Sequence, residues 1–353
     1  MSDVSYSKLR EFLDQFPVGF PQTPSGVEIK ILKRLFTEDE ADIAVLLTPF
    51  PEKANQIAER AGLDAKELEA KLESMANKGL VFRARRHSET FYNTAPFMIG
   101  LYEYSVNKID EELAALFKEY YETALLDEIG ASNVPGFKVI PIERNVAADT
   151  VLLPFHKLEE AIRAARIISV ADCVCRKESR LTGDGCDYPL ENCLSFGVAA
   201  EYYIESGMGR EISAEEAIKI LNEADKAGLV HASANSKHLS NICNCCPCCC
   251  ASMKGITKRG HDKRRYMNAL FEAVVDADEC VGCEECIDRC PVGAVKVDDA
   301  AVVDRDKCLG CGLCASACPS EAITMRLRED REEPFDRVFQ MGMAIMEAKK
   351  KNA

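Results

Sequence analysis

The sequence predicts a mainly α chain with small β elements, an α+β architecture in several domains. Three observations carry that prediction. At roughly 150 residues per domain, the chain of 353 residues holds two or three domains. Through the first half, apolar residues recur at helical spacing. In the second half, all eighteen cysteines fall between Cys173 and Cys318, and a stretch from Cys280 recurs from Cys308 at an offset of 28.

Composition removes several function classes. An apolar fraction of 47% and a charged fraction of 29% allow an ordinary soluble core. No apolar run approaches the roughly 18 residues needed to cross a bilayer, so no membrane insertion is expected. The opening MSDVSYSKLREFLDQF lacks the charged, apolar and small-residue order of an export signal. The formal charge of −14 argues against nonspecific binding to nucleic acid or anionic lipid. A disulfide scaffold is usually under about 100 residues and exported. The thiols are therefore expected to be metal ligands in a reducing cytoplasm.

Residues 1–97 read as a first domain. Val27 to Phe36, Asp39 to Leu47, Pro51 to Ala61 and Asp64 to Lys78 read as short helices, with Asp64 and Glu67 as a cap signature. Gly79 to Tyr92 reads as a β-hairpin. The segment PEKANQIAERAGLDAKELEAKLESMANKGLVFRARR resembles a winged helix-turn-helix domain. A recognition helix normally presents Arg, Lys, Asn or Gln to DNA. Here Lys66 and Lys71 stand against Glu67, Glu69 and Glu73, and only Arg83, Arg85 and Arg86 cluster in the wing. DNA binding is not expected; docking of a protein, or of a second copy of the chain, is. A helical connector follows over 98–136, with Leu101, Ile109, Leu113 and Leu116 as its packing residues.

Residues 137–270 form a Cys-rich, helical module. Phe155 to Val170 reads as a helix, followed by helices over Leu194 to Glu205 and from Ser213 to a left-handed cap at Gly228. Its ten cysteines are Cys173, Cys175, Cys186 and Cys193, then Cys243, Cys245, Cys246, Cys248, Cys249 and Cys250. Six cysteines in eight residues have few structural roles, and adjacent ones point different ways, so they cannot all serve one centre. One or two further iron–sulfur clusters, built between the two groups, are the expectation. Zinc or another thiophilic metal, and a redox-active disulfide, remain the alternatives. Which cysteines ligate is open. Arg176, Lys177, Lys254 and Lys258 read as surface charge, or as groups that offset cluster charge or hold an anionic substrate. His156, His231 and His238 are candidate ligands or proton donors.

Residues 271–330 carry CVGCEECIDRCPVGAV and CLGCGLCASACPSEAI, each reading C-x2-C-x2-C-x3-C-P. This resembles the bacterial two-cluster ferredoxin motif, in which the fourth cysteine of each run serves the other cluster. The resemblance implies one [4Fe–4S] cluster on Cys280, Cys283, Cys286 and Cys318, and a second on Cys308, Cys311, Cys314 and Cys290. Short strands are expected at Ala294–Val297 and Ala301–Val303. Val281, Ile287, Val295, Leu309, Leu313 and Ile323 are expected to wall the clusters from water. Asp276, Asp278, Glu279, Glu284, Glu285 and Asp288 surround the first run, so its cluster should have the lower potential. Spectroelectrochemistry in which that cluster is reduced first would contradict this.

Residues 331–353 read as a terminal amphipathic helix from Pro334 to Lys350, with Phe335, Val338, Phe339, Ile345 and Met346 on one face. The whole chain is similar to a group of anaerobe iron–sulfur proteins. That resemblance carries no reaction with it; the first reading is a cytoplasmic electron-transfer protein that relays low-potential electrons between the ferredoxin module, the additional Cys-ligated site and a redox partner protein. A reductase whose middle cluster is catalytic, and a redox-sensing regulator, are the alternatives. No fingerprint for NAD, FAD or ATP is present.

Overall fold

The computed structural model describes residues 3–153 and 156–352. The chain divides into two compact units: Met1–Glu128, Ser169–Cys186 and Gly197–Glu211 in one, and Ile129–Ile168, Asp187–Phe196 and Ile212–Ala353 in the other.

The first unit opens with helices Val4–Leu13, Val27–Leu35, Glu38–Ala44, Ala54–Ala61 and Ala65–Asn77. Their starts follow from local chemistry. Thr37 and Glu40 form a reciprocal capping box. The Asp64 carboxylate accepts the backbone N–H groups of Lys66 and Glu67 at 3.0 and 2.9 Å. Strands Val81–Arg86 and Glu89–Thr94 then pair antiparallel from Val81↔Thr94 to Arg86↔Glu89. The connector is not one long helix. Met98, Ile99 and Gly100 have non-helical dihedrals. A new helix, Glu111–Tyr120, starts where the Asp110 carboxylate accepts the Leu113 N–H at 2.9 Å. Polar residues that bond the nearby backbone end one helix and begin the next. Leu101, Ile109 and Leu113 are buried within this unit.

Two later segments return to it. Ile168–Asp172 and Arg210–Glu211 pair as short antiparallel strands, with helices Val174–Leu181 and Val198–Glu205 between them. The Tyr202 hydroxyl donates to the carbonyls of Ala76 and Val81, at 3.0 and 2.8 Å. This ties the Val198–Glu205 helix to the base of the hairpin.

The second unit holds more sheet than the sequence predicts. Strands Glu191–Phe196, Asn241–Cys245, Val230–Ala234, Phe137–Val139 and Met267–Ala269 lie side by side in that order. The first three junctions are antiparallel and the last is parallel. Two expected helices are corrected here. Of Phe155–Val170, Phe155 lies outside the described residues, only Leu158–Ala164 is helical, and Ile168–Val170 is strand. Leu194–Phe196 is also strand, and its helix begins at Val198. Ile168 through Ala171 are all buried, so no polar alternation marks the strand. A short apolar run of that kind reads equally well as helix. The helix Ala214–Ala227 matches its prediction: the Ser213 hydroxyl accepts the Glu216 N–H at 3.2 Å, and Gly228 ends it at φ 87°.

The segment 271–327 repeats itself. Helices Glu285–Arg289 and Leu313–Ala317 stand 28 residues apart, as do the left-handed residues Gly282 and Gly310. Phe271–Val275 pairs with Ile323–Leu327, and Val295–Val297 with Ala301–Val303, both antiparallel. A Cβ on Gly310 would collide with the Phe271 carbonyl, so that loop requires glycine for space as well as for φ. The last helix is Val338–Asn352. Of its expected apolar face Ile345 is buried, whereas Val338 and Phe339 are exposed. No described helix is long and apolar enough to cross a membrane.

Candidate metal centres

The repeat gathers its eight cysteines into two quartets. The Cys286 thiol feels the charges of Cys283, Cys280 and Cys318. Cys311 feels Cys314, Cys308 and Cys290. The fourth cysteine of each run therefore lies near the first three of the other run. Cys280, Cys283, Cys286 and Cys318 also line one cavity, with Val297, Ala301 and Ile323. Backbone N–H groups already point at sulfur: Ala294 at Cys290 (3.1 Å), Ala301 at Cys280 (3.4 Å) and Gly310 at Cys308 (3.4 Å). Soft ligands in fours, with backbone donors to sulfur, fit the chemistry of a [4Fe–4S] cluster.

The two quartets differ in environment. The second is inside: Cys308, Cys311 and Cys314 are 8, 9 and 8% exposed. Burial pushes the Cys314 thiol up to about 12 and Cys311 well above its ordinary value. The first is outside: Cys283 is exposed, and so are all six carboxylates named above. Hydrogen bonds from the N–H groups of Ala301 and Gly282 hold the Cys280 thiol below its ordinary value. Of the six residues expected to exclude water, Val295, Leu309, Leu313 and Ile323 do so. Val281 and Ile287 are corrected to exposed, at 68 and 37%, because the first loop faces outward.

A buried cation serves the inner quartet. Lys263 donates to the Cys308 carbonyl, and to that of Arg305 at 3.0 Å. Burial lowers the Lys263 pKa to about 8, so it is largely cationic at pH 7. Lys263→Met removes that charge from beside Cys308 and should lower the potential of the inner site while leaving the outer one in place, since the energy of a charge falls with distance. A redox titration followed by EPR reads both. Two unshifted potentials would refute the assignment.

The ten middle cysteines do not form one group. Cys173, at the start of the Val174–Leu181 helix, Cys175 and Cys186 belong to the first unit. Cys175 lies close to the buried hydroxyls of Tyr102 and Tyr121; burial first, then the Cys175 charge, pushes both well above their ordinary values. In the second unit the Cys243–Cys250 run splits in two. Cys245 hydrogen-bonds with Cys243 and with Cys250; those two bonds, then burial, push its thiol well above the ordinary value. The sulfurs of Cys246, Cys248 and Cys249 lie within 4.8 Å of one another, with Cys248 and Cys249 at 3.7 Å. None of the eighteen cysteines is in a disulfide.

Other candidates resolve less favourably. Arg176 is not surface charge: it has no exposure. Lys177 pairs with Asp172 at 3.6 Å. The His231 ring nitrogen Nδ1 bonds the Asn244 amide oxygen at 2.6 Å, and burial lowers its pKa. Nδ1 of His156 accepts the Leu153 N–H at 3.2 Å, and burial brings its pKa to about 4. Both rings are neutral at pH 7. Sequence reasoning missed Lys263 altogether, because a lysine in KRGHDKRRY carries no local sign of burial.

Residues 273–325 match the family of the 4Fe-4S dicluster domain. No curated protein and no solved structure matches the chain. The dicluster match and the cysteine group at 246–249 make this an iron–sulfur protein with a ferredoxin-like domain.

Proposed function

We propose that the chain relays electrons between a partner protein and a metal centre in its middle module, through the ferredoxin-like domain. Iron–sulfur clusters held there supply one-electron transfer at low potential. The protein's own residues set the direction. Exposed Cys283 and Val281 place the first quartet where a partner can approach. The acidic residues around it select a partner with a basic face. Cys311 and Leu313 carry the second quartet into the interior.

One observation carries this reading. Cys311, Leu309 and Leu313 share a single buried apolar cluster with Cys245, Val230 and Ala232, and Cys243 and Cys250 pack against it. Packed apolar side chains thus join Cys311 of the inner quartet to Cys245 of the middle module. Cys246, Cys248 and Cys249 are the proposed ligands of a redox centre in that module.

The hairpin arginines favour docking over DNA recognition. Arg83 pairs with Glu73 and Glu205 at 2.7 and 2.9 Å, and Arg85 with the same two carboxylates at 3.2 and 2.9 Å. Guanidinium groups neutralised in this way are not offered to phosphate.

Cys311→Ser tests the relay. The variant should still reduce the outer site with normal kinetics, while reduction of the middle centre slows by more than about 100-fold, the loss expected when a step of about 3 kcal/mol is added. Rapid mixing with freeze-quench EPR separates the two. Unchanged reduction of the middle centre would exclude the route.

A further inference from the structure

A basic segment interrupts an acidic chain. Residues 254–265 carry six basic side chains, Lys254, Lys258, Arg259, Lys263, Arg264 and Arg265, in a protein of net charge −14. The one acid among them is Asp262. Lys263 turns inward and is buried, whereas Lys258, Arg259, Arg264 and Arg265 are exposed. Asp262 pairs with Arg264 at 3.3 Å, a pair so exposed that it takes little from the charge presented to solvent. The Arg265 guanidinium donates to a carbonyl, that of Gly130, at 3.5 Å.

The segment is held in place and joined to both inner redox sites. The His261 ring nitrogen Nδ1 bonds the Tyr266 hydroxyl at 2.6 Å, and the His261 N–H donates to the Gly255 carbonyl at 3.1 Å. Gly255 lies against the Tyr266 ring, where a Cβ would stand 2.3 Å from it. The Asp262 carboxylate accepts the Arg264 N–H at 2.9 Å. Charges presented from a backbone fixed in this way lose less freedom when a partner docks. At one end, the Thr257 hydroxyl donates to the Pro247 carbonyl at 3.2 Å, between Cys246 and Cys248. At the other, Lys263 reaches the Cys308 carbonyl from within. Cys248 is half-buried, while Cys308, Cys311 and Cys314 are 8, 9 and 8% exposed. Of the two sites, the middle group is the one that meets solvent.

We propose that Lys258, Arg259, Arg264 and Arg265 form a docking face for a second partner, an acidic one-electron carrier protein that exchanges electrons with the Cys246–Cys248–Cys249 centre. Each encounter moves one electron: the centre is oxidised and the carrier reduced, or the reverse, with no bond made or broken and no proton transferred. The acidic loop of the outer quartet selects a basic face, so the two docking faces sort their partners by charge. A long nucleic acid would meet the same cations, but it would also meet the negative charge of the rest of the chain, which a compact carrier avoids. The inference rests on the proposed redox role of the middle module and adds where its partner docks and what charge that partner carries.

The test is the affinity of the full-length protein, purified without oxygen, for an acidic plant-type [2Fe–2S] ferredoxin, labelled and followed by fluorescence anisotropy. Lys258→Glu combined with Arg264→Glu should weaken binding at least about 10-fold at low salt, and glutamine at both positions should give an intermediate loss. The differences should shrink as salt is raised. Electron exchange between the ferredoxin and the middle centre, followed by freeze-quench EPR, should slow by the same factor, while reduction of the outer quartet by methyl viologen holds its rate. No binding by the parent, equal binding by parent and both variants, exchange that ignores the charge reversal, or tighter binding of an oligothymidylate than of the ferredoxin overturns the proposal. Affinity is read without electron transfer. A ferredoxin that binds through these residues to a protein whose middle centre takes up no electron therefore refutes the proposed function alone, and a working relay whose ferredoxin binding ignores them refutes the docking face alone.

Discussion

Reversing Glu284, Glu285 and Asp288 to lysine is expected to slow reduction of the protein by the methyl viologen radical cation at least about 10-fold at low salt. Reduction by the anionic dithionite radical should accelerate in the same variant. The three carboxylates are exposed and flank Cys283 and Cys286, where the outer quartet meets solvent. They add to Asp276, Asp278 and Glu279 on the same loop, within a chain of net charge −14. The triple reversal changes the local charge by about six units, and steering of this kind acts over the Debye length, about 10 Å at 0.1 M salt. The effect should therefore fade as salt is raised, while the potentials move far less. Stopped-flow rates over a salt series check this. Equal rates for both donors at low salt would place the entry point elsewhere.

Replacing Arg83 by methionine is expected to destabilise the first unit by about 3 kcal/mol, the lower end of the range for breaking a buried ion pair. Arg83 is 2% exposed on the Val81–Arg86 strand. Its two nitrogens hold Glu73 and Glu205, which bring together the helix Ala65–Asn77 and the helix Val198–Glu205. Without Arg83, Arg85 is left to balance both carboxylates, and they partly rehydrate because each is about one-third exposed. The sign with pH follows from Glu73. Burial raises its pKa, but the Tyr92 hydroxyl and then Arg83 and Arg85 outweigh this, and the carboxyl ends below its ordinary value of 4.5. A carboxylate lowered on folding adds stability above pH 4.5, and that stability is lost as pH falls through the folded value. Urea unfolding of the first unit at pH 7 should show the full loss. Below the folded value the difference between variant and parent should shrink. A midpoint unchanged at pH 7 would contradict the assignment.

The parts legible in the sequence were those governed by short-range rules. The offset of 28 marked the repeat, and its helices and left-handed glycines recur at that spacing. Asp64, Ser213 and Gly228 marked helix ends because caps act within one turn. What stayed hidden depends on partners distant in sequence. Ile168–Ala171 and Leu194–Phe196 are buried strands with no alternation, so their type was set by neighbours the sequence does not display. The split of the cysteine run has the same origin. Cys243 and Cys245 lie on a strand that ends at Cys245, and only knowledge of that end separates them from Cys246, Cys248 and Cys249. Val281 and Ile287 were expected inside because they are apolar residues of the first run, but the first loop faces outward. Arg176 and Lys263 were read as surface or passed over, since charge in a sequence predicts exposure on average.

The central claim is that electrons entering the ferredoxin-like domain reach a third redox centre in the same chain. The direct measurement is the number of electrons the protein accepts in an anaerobic reductive titration, followed by EPR. Two cubanes take one electron each, so the account predicts about three or more electrons per chain, the extra ones being absent in Cys246→Ser. Uptake of two electrons, with both quartets loaded and Cys246→Ser indistinguishable from the parent, would contradict it.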